Sequence, residues 1–302
     1  MIYVIGHKNP DTDSIISAIA YAWYLNQKGI KALSARSSQI NSETKFVLEK
    51  FGFEPPISLG GGDDEQKLIL VDHNEKEQQP EGNFQILEIW DHHKFNFSCT
   101  QPIFIRSEPV GSTSTLLAKE FFNQQITIPK NIAGLLLSAI LSDTIVFKSP
   151  TTTETDKIIA KKLNEQWSFD LENFGREIKK AGIDFSLSIK ELILRDLKEY
   201  SFLKNQITGI GQFELIEIEK FLTKKREILE KMEEIKKEKN YNCLIFLVTD
   251  IFKEGSELFA LGQEEKIEKA FNKKLENGSF WIDGLMSRKK QIVPVLENIF
   301  KK

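Results

Sequence analysis

The chain has four histidines in 302 residues, and all four fall in its first third: His7, His73, His92 and His93. Each has an aspartate close by. Three segments carry them. His7-Lys8-Asn9-Pro10-Asp11-Thr12-Asp13-Ser14 supplies one imidazole and two carboxylates, while Val71-Asp72-His73-Asn74 and Asp91-His92-His93 supply the others. None of these motifs contains cysteine, so the donor set favours Mn²⁺, Co²⁺, Fe²⁺ or Zn²⁺ over a thiolate site. Two carboxylates two residues apart on a turn can diverge toward two ions. Two metals ~3.5–4 Å apart can share a carboxylate and a hydroxide, a nucleophile available near neutral pH. Little more is needed for phosphoryl transfer. The plainer alternative for the first motif is that Asp11 or Asp13 only caps a helix. Adjacent side chains on an extended strand point to opposite sides. His92 and His93 are therefore expected to face different ways, one ligating and one contacting substrate.

Two further segments fit the same chemistry. Ser142-Asp143-Thr144 ends an apolar helix, where a carboxylate opposes the helix dipole at a cost of ~0.3–1 kcal/mol. A nearby cation would offset that cost; an ordinary loop aspartate is the alternative. Ser287-Arg288-Lys289-Lys290-Gln291 places cations before a helix predicted from Pro294, which suits an anion bound at the helix start. A solvated basic turn is the alternative there. Gly60-Gly61-Gly62 precedes a strand and does not open a helix, so it makes a poor phosphate loop.

The elements that must hold these groups alternate. Strands are predicted at 2–5, 31–35, 68–71 and 85–90, and helices at 14–27, 42–51, 112–123, 131–141 and 154–166. Strands separated by helices imply βαβ units and a mostly parallel, doubly wound α/β sheet. Ligands of such sheets bind beyond the carboxyl ends of strands, where all three histidine motifs fall. The later chain differs: a helix over 186–197, strands at 213–218, 243–248 and 258–261, and one long mixed-charge helix over 219–239. This gives a catalytic domain over 1–185, a linker over 186–195 and a smaller α/β domain over 196–302, with the site between the domains.

Bulk properties narrow the classes. The net charge is −3, which argues against a nucleic-acid partner on global charge. The longest apolar stretch, near Ile132–Leu141, is far short of the ~20 residues a bilayer span needs, so no membrane association is expected. The start of the chain reads as a buried strand, not a secretory signal. Two well-separated cysteines, Cys99 and Cys243, fit a reducing, cytoplasmic setting.

Taken in order, His-x-x-x-Asp-x-Asp-Ser, Asp-His-Asn-Glu, Asp-His-His, Ser-Asp-Thr and Ser-Arg-Lys-Lys-Gln resemble family II, manganese-dependent inorganic pyrophosphatases of the DHH phosphoesterase superfamily. The resemblance spans essentially the whole chain. Asp-His-His marks the superfamily, and Ser-Arg-Lys-Lys-Gln is the more specific signal. The loop between Gly60 and Lys67 is too short for a regulatory nucleotide-binding insert. The resemblance implies two Mn²⁺ per subunit, with Co²⁺ as a substitute and Mg²⁺ arriving with pyrophosphate. It implies that His7 and Asp11 hold the first metal, that Asp13, His92 and Asp143 hold the second, and that Asp72 bridges both. His93 would contact the nucleophile or a phosphate. Lys198, Arg288 and Lys289 would bind the phosphates, and Asp91 would orient an imidazole. His73 would support the site without ligating. A homodimer is also implied. The rival readings are a sister phosphoesterase acting on polyphosphate, short oligonucleotides or a bisphosphorylated nucleoside, and a non-catalytic metal-binding module.

Overall fold

The computed structural model describes residues 1–59, 66–183, 187–203 and 206–300, without the side chains of Leu203 and Lys289. The Gly60-Gly61-Gly62 segment and most of the short loop to Lys67 lie outside the described residues, as does Ser186, the expected start of the linker. The chain divides into two compact units, Met1–Ile183 and Asp184–Lys302.

The first unit runs β1 (Ile2–Ile5), α1 (Thr12–Gln27), β2 (Ala32–Arg36), α2 (Ser42–Phe51), β3 (Ile57–Ser58), β4 (Gln66–Val71), β5 (Phe84–Asp91) and β6 (Phe104–Ser107). Four helices follow: α3 (Thr113–Asn123), α4 (Lys130–Asp143), α5 (Glu154–Asn164) and α6 (Leu171–Ala181). The strands form one parallel sheet in the order β3-β2-β1-β4-β5-β6. Val4 and Ile5 of β1 and Leu68–Val71 of β4 are buried, as expected of strands covered by helices on both faces. The strand order reverses between β1 and β4, and such a switch point opens a crevice at the carboxyl ends.

Register places the chemistry there. Ile5 pairs with Leu70, and Leu70 with Ile89. His7, Asp72 and Asp91 each follow one of these residues by two positions, so all three emerge at one level. α4 is buried along nearly its whole length, from Ile132 to Ser142. It packs on α1, α2, α3, α5 and α6, which fits an apolar helix with no polar face. Its Gly134 lets the Phe51 ring of α2 approach, since a Cβ there would lie 2.2 Å from that ring.

The second unit contains α7 (Ile189–Arg195), β7 (Leu197–Leu203), β8 (Gln206–Leu215), α8 (Ile218–Leu222), α9 (Lys225–Glu238), β9 (Cys243–Asp250), β10 (Gly255–Leu261), α10 (Glu264–Phe271), β11 (Ser279–Asp283) and α11 (Val293–Phe300). Its sheet, β11-β10-β9-β8-β7, is antiparallel except for the parallel pair β8–β9. The core joins Ile245, Leu247 and Leu258 of the sheet to Leu296 and Phe300 of α11.

Several boundaries depart from the sequence expectation. The long helix over 219–239 is two helices, broken at Thr223–Lys224. Ile218, expected in a strand, opens α8 under a bond from its N–H to Asp250 Oδ2. The helix expected over 186–197 covers only 189–195, packing on α9 and β8 within the second unit, and Leu197 already belongs to β7.

Candidate metal centre

His7 leaves the sheet just after β1. Gly6 makes that exit possible, because a Cβ there would fall 1.9 Å from Ser14 Oγ. Asp11 is the N-cap of α1: its Oδ1 accepts from Ser14 N at 2.9 Å. Its other oxygen, Oδ2, lies 3.6 Å from His7 Nε2. Asp11 therefore caps the helix with one oxygen and turns the other toward His7.

Asp13 does not cap α1. It is buried against the N-terminus of α3, where it accepts from Thr113 N at 2.6 Å, Ser114 N at 3.0 Å and Ser112 Oγ at 2.8 Å. A helix start favours a carboxylate in that position through its free N–H groups and its dipole. Sequence reasoning missed Ser112, Thr113 and Ser114. Their types signal only an N-cap, and the fact that α3 caps a carboxylate 99 to 101 residues away is a tertiary fact. Asp156 holds this turn from behind, accepting from Gly111 N and Thr115 Oγ1.

Asp72 is almost fully buried and adopts φ 63°, a left-handed conformation that aspartate tolerates better than most residues. Its two oxygens face opposite groups. Oδ2 lies 3.5 Å from His7 Nε2, and Oδ1 lies 3.4 Å from His92 Nε2. Thr113 Oγ1 donates to Oδ1 at 3.1 Å. His92 Nε2 is also 3.5 Å from Asp143 Oδ2, at the end of α4. Among the described residues the donor atoms thus form three overlapping groups, His7–Asp11–Asp72, Asp13–Asp72–His92–Asp143 and Asp72–His92–His93, each within 4.8 Å internally and all sharing Asp72.

His92 and His93 do not point to opposite sides. β5 ends at Asp91, so strand alternation no longer governs the next two residues, and the rings lie 4.1 Å apart. They differ instead in partner. His92 Nδ1 donates to Val110 O at 2.9 Å, whereas His93 Nδ1 donates to Asp91 Oδ1 at 2.9 Å. Asp91 is in turn held by Asn74 Nδ2 at 2.6 Å. His93 Nδ1 also falls within 3.9 Å of Asp72 Oδ1, but a nitrogen that donates its proton to Asp91 has no lone pair for a metal. His73 is buried with Nδ1 on Val71 O at 2.9 Å, and burial holds its pKa below the ordinary range.

The electrostatics are those of a site built for cations. Burial opposes charge on His7 and His92, yet the surrounding carboxylates push both up to about 10. Burial and the neighbouring aspartates raise Asp13 to about 6 and lift Asp143 well above the usual carboxylate range. Asp72 is buried too, but its two imidazoles hold it below that range. His92 Nε2 is buried without a hydrogen-bond partner among the described residues. Aspartates and imidazoles around such an orphaned atom fit borderline divalent cations. His7, Asp11, Asp72, His92, His93 and Asp143 line one open cavity of ≈ 430 Å³.

The expected phosphate-binding residues belong to the second unit. Lys198 is exposed on β7. Arg288–Ile292 forms a single π-type turn, held by Ser287 Oγ and by Gln291 Oε1, which accepts from Met286 N and Ser287 N. Arg288 is engaged within its own unit, donating to Ile210 O at 3.0 Å, to Asp196 O and to the Asp196 carboxylate at 3.0 Å. Its Nε has no partner among the described residues. The Lys289 side chain lies outside the described residues.

Residues 1–140 match the DHH family, N-terminal domain, and residues 176–299 match the DHHA2 domain. A manganese-dependent inorganic pyrophosphatase of Methanocaldococcus jannaschii is 45% identical, with 99% of each chain covered. The chain belongs to the manganese-dependent inorganic pyrophosphatase family. A member from Bacillus subtilis is 42% identical over 98% of this chain and 97% of its own. Among solved structures, the crystal structure of a Methanococcus jannaschii putative family II inorganic pyrophosphatase matches over all of both chains, at 44% identity and a TM-score of 0.66. An exopolyphosphatase-related protein from Bacteroides fragilis shares the fold at 17% identity and a TM-score of 0.50. The family is thus set by full-length identity, and its two domains correspond to the two sheets.

Proposed function

We infer that the chain hydrolyses inorganic pyrophosphate to two phosphates at a manganese centre in the first unit. The observation that carries this reading is Asp72, whose two oxygens each face a separate imidazole at 3.4–3.5 Å. In this reading His7, Asp11 and Asp72 hold one Mn²⁺, and Asp13, Asp72, His92 and Asp143 hold the second. Co²⁺ can replace Mn²⁺, and Mg²⁺ accompanies the substrate. The bound metals supply Lewis acidity, lowering the pKa of water and drawing charge from phosphoryl oxygens.

The protein's own groups do the rest. The start of α3 fixes Asp13, Val110 O fixes the His92 tautomer, and Asp91 turns His93 so that its Nε2 remains for substrate or water. Lys198, Arg288 and Lys289 of the second unit serve the phosphates and offset charge on the departing one. For Arg288 this role competes with its bonds to Asp196.

A homodimer is part of the proposal. Among the described residues β6 pairs only with β5, and it exposes Phe104 and Ile105 by 52% and 42%. An open apolar edge invites pairing with another chain, here a second copy. Ile105→Lys should then lower the mass seen by sedimentation to that of one chain. A cytoplasmic setting fits Cys99 and Cys243, both free thiols. Among the described residues no helix is long and apolar enough to cross a membrane.

The test is a substrate panel. Metal-stripped protein reloaded with Mn²⁺, with Mg²⁺ present, is given pyrophosphate, polyphosphate or a short oligonucleotide. Rapid phosphate release from pyrophosphate alone is expected. Cleavage of only a longer substrate would move the protein to the sister phosphoesterases.

A further inference from the structure

We propose that Glu43 is a positioning residue for the metal-ligating carboxylates, acting through Thr12 and Ser142. The proposal rests on the metal-centre reading above and names a residue that reading does not use. Glu43 lies in the first turn of α2, where its type signals only a favourable helix start. Its side chain is 12% exposed and turned inward. Oε1 accepts from Thr12 Oγ1 at 2.6 Å and also from Ser142 Oγ. Oε2 accepts from Lys179 Nζ of α6 at 3.1 Å, and the same ammonium donates to Ser142 Oγ at 2.9 Å. Thr44 Oγ1, next to Glu43, lies 3.2 Å from Thr12 Oγ1.

The two hydroxyls occupy telling positions. Thr12 stands between Asp11 and Asp13, and Ser142 immediately precedes Asp143. One carboxylate therefore ties the start of α1 to the end of α4, the two helix ends that carry three of the four candidate carboxylate ligands. Like charge among those carboxylates works against holding the two helix ends together. Glu43 and Lys179 belong to α2 and α6, which carry no ligand, so they anchor the ends from outside the cluster. A largely buried ion pair returns little net stability against its desolvation. Its two added hydroxyl contacts distinguish it from exposed pairs such as Lys190–Glu238. Groups that orient metal ligands typically change metal affinity by about 10- to 100-fold when removed.

The experiment is a Mn²⁺ titration of the metal-stripped full-length protein, read by electron paramagnetic resonance, with the urea midpoint measured in excess chelator. Glu43→Ala is expected to weaken Mn²⁺ binding by about 10- to 100-fold and to lower kcat more than it changes KM. Glu43→Gln keeps an oxygen for both hydroxyls and should recover most of the affinity. A purely structural role predicts a lower urea midpoint with a Mn²⁺ isotherm that overlays the parent's, and that result overturns the proposal. If Glu43→Ala fails to fold, Thr12→Val removes one hydroxyl at nearly constant shape, and an unchanged isotherm for it is equally fatal. A parent that binds two Mn²⁺ but releases no phosphate from pyrophosphate would sink the substrate reading alone, with the isotherms still deciding Glu43. A parent that binds no Mn²⁺ would sink both.

Discussion

His92 Nε2 lies 3.4 Å from Asp72 Oδ1, and its ring is fixed by Nδ1 donating to Val110 O. A backbone carbonyl can only accept, so Nδ1 must carry a proton and the neutral ring presents its Nε2 lone pair to the carboxylate. Two lone pairs at that distance need a proton or a cation between them. Without metal the proton wins, which is why both His92 and His7 are pushed up to about 10.

That relationship predicts proton release. At pH 7 both imidazoles are protonated, and a metal can bind only the neutral ring. Loading the site should expel two protons from the imidazoles and more from the raised Asp13 and Asp143 carboxyls, and apparent Mn²⁺ affinity should rise with pH throughout the range below about 10. Calorimetric titration in two buffers of different ionisation enthalpy measures the release directly. Equal heats in both buffers would mean that these imidazoles do not ligate.

Ser112 should matter for stability although it ligates nothing. Its hydroxyl reaches the buried Asp13 carboxylate at 2.8 Å, and a hydrogen bond to a charged group is worth about 1.5–3 kcal/mol. Ser112→Ala should lower the unfolding free energy of the metal-free protein by that amount, read as a lower urea midpoint at unchanged slope. A midpoint equal to the parent's would show that the remaining donors at the start of α3 suffice.

The basic residues of the second unit make a separate prediction. Lys198→Ala removes an exposed cation from β7. It should cut kcat/KM for pyrophosphate by about 10- to 100-fold, the equivalent of one charged hydrogen bond, and leave Mn²⁺ stoichiometry unchanged. Lys290→Ala, in the same turn as Arg288, should do little. Equal losses from both would indicate general attraction for the anion instead of a specific contact.

The gathering of imidazoles and aspartates at one sheet edge was legible in the sequence because residue type is informative there. Few structural roles need an imidazole and an aspartate together at the ends of β1, β4 and β5. α2 was readable to the residue, since Asn41 caps it and Gly52 ends it in a left-handed turn. β3 and β6 were not foreseen. They have two and four residues, too few for period-two alternation to show, and β6 is exposed on an edge. α6 was missed although Asp170 caps it and Phe174 and Ile178 share its buried face, a signal that Gly175 weakens. The break between α8 and α9 was hidden by charged residues that suit a helix on either side. Glu43, Ser112 and Asp156 could not be picked out, because their importance lies in which distant backbone or hydroxyl they meet.

The central claim is that Asp72 is shared by two ions. The most direct measurement is Asp72→Asn, assayed for bound Mn²⁺ per chain and for phosphate release from pyrophosphate. Asparagine also tolerates the left-handed conformation at this position, so the fold should survive. The account predicts fewer than two tightly held Mn²⁺ and a loss in kcat of about 10²-fold or more, since several kcal/mol of metal-centred stabilisation are at stake. A variant that keeps two Mn²⁺ and the parent's turnover would contradict it.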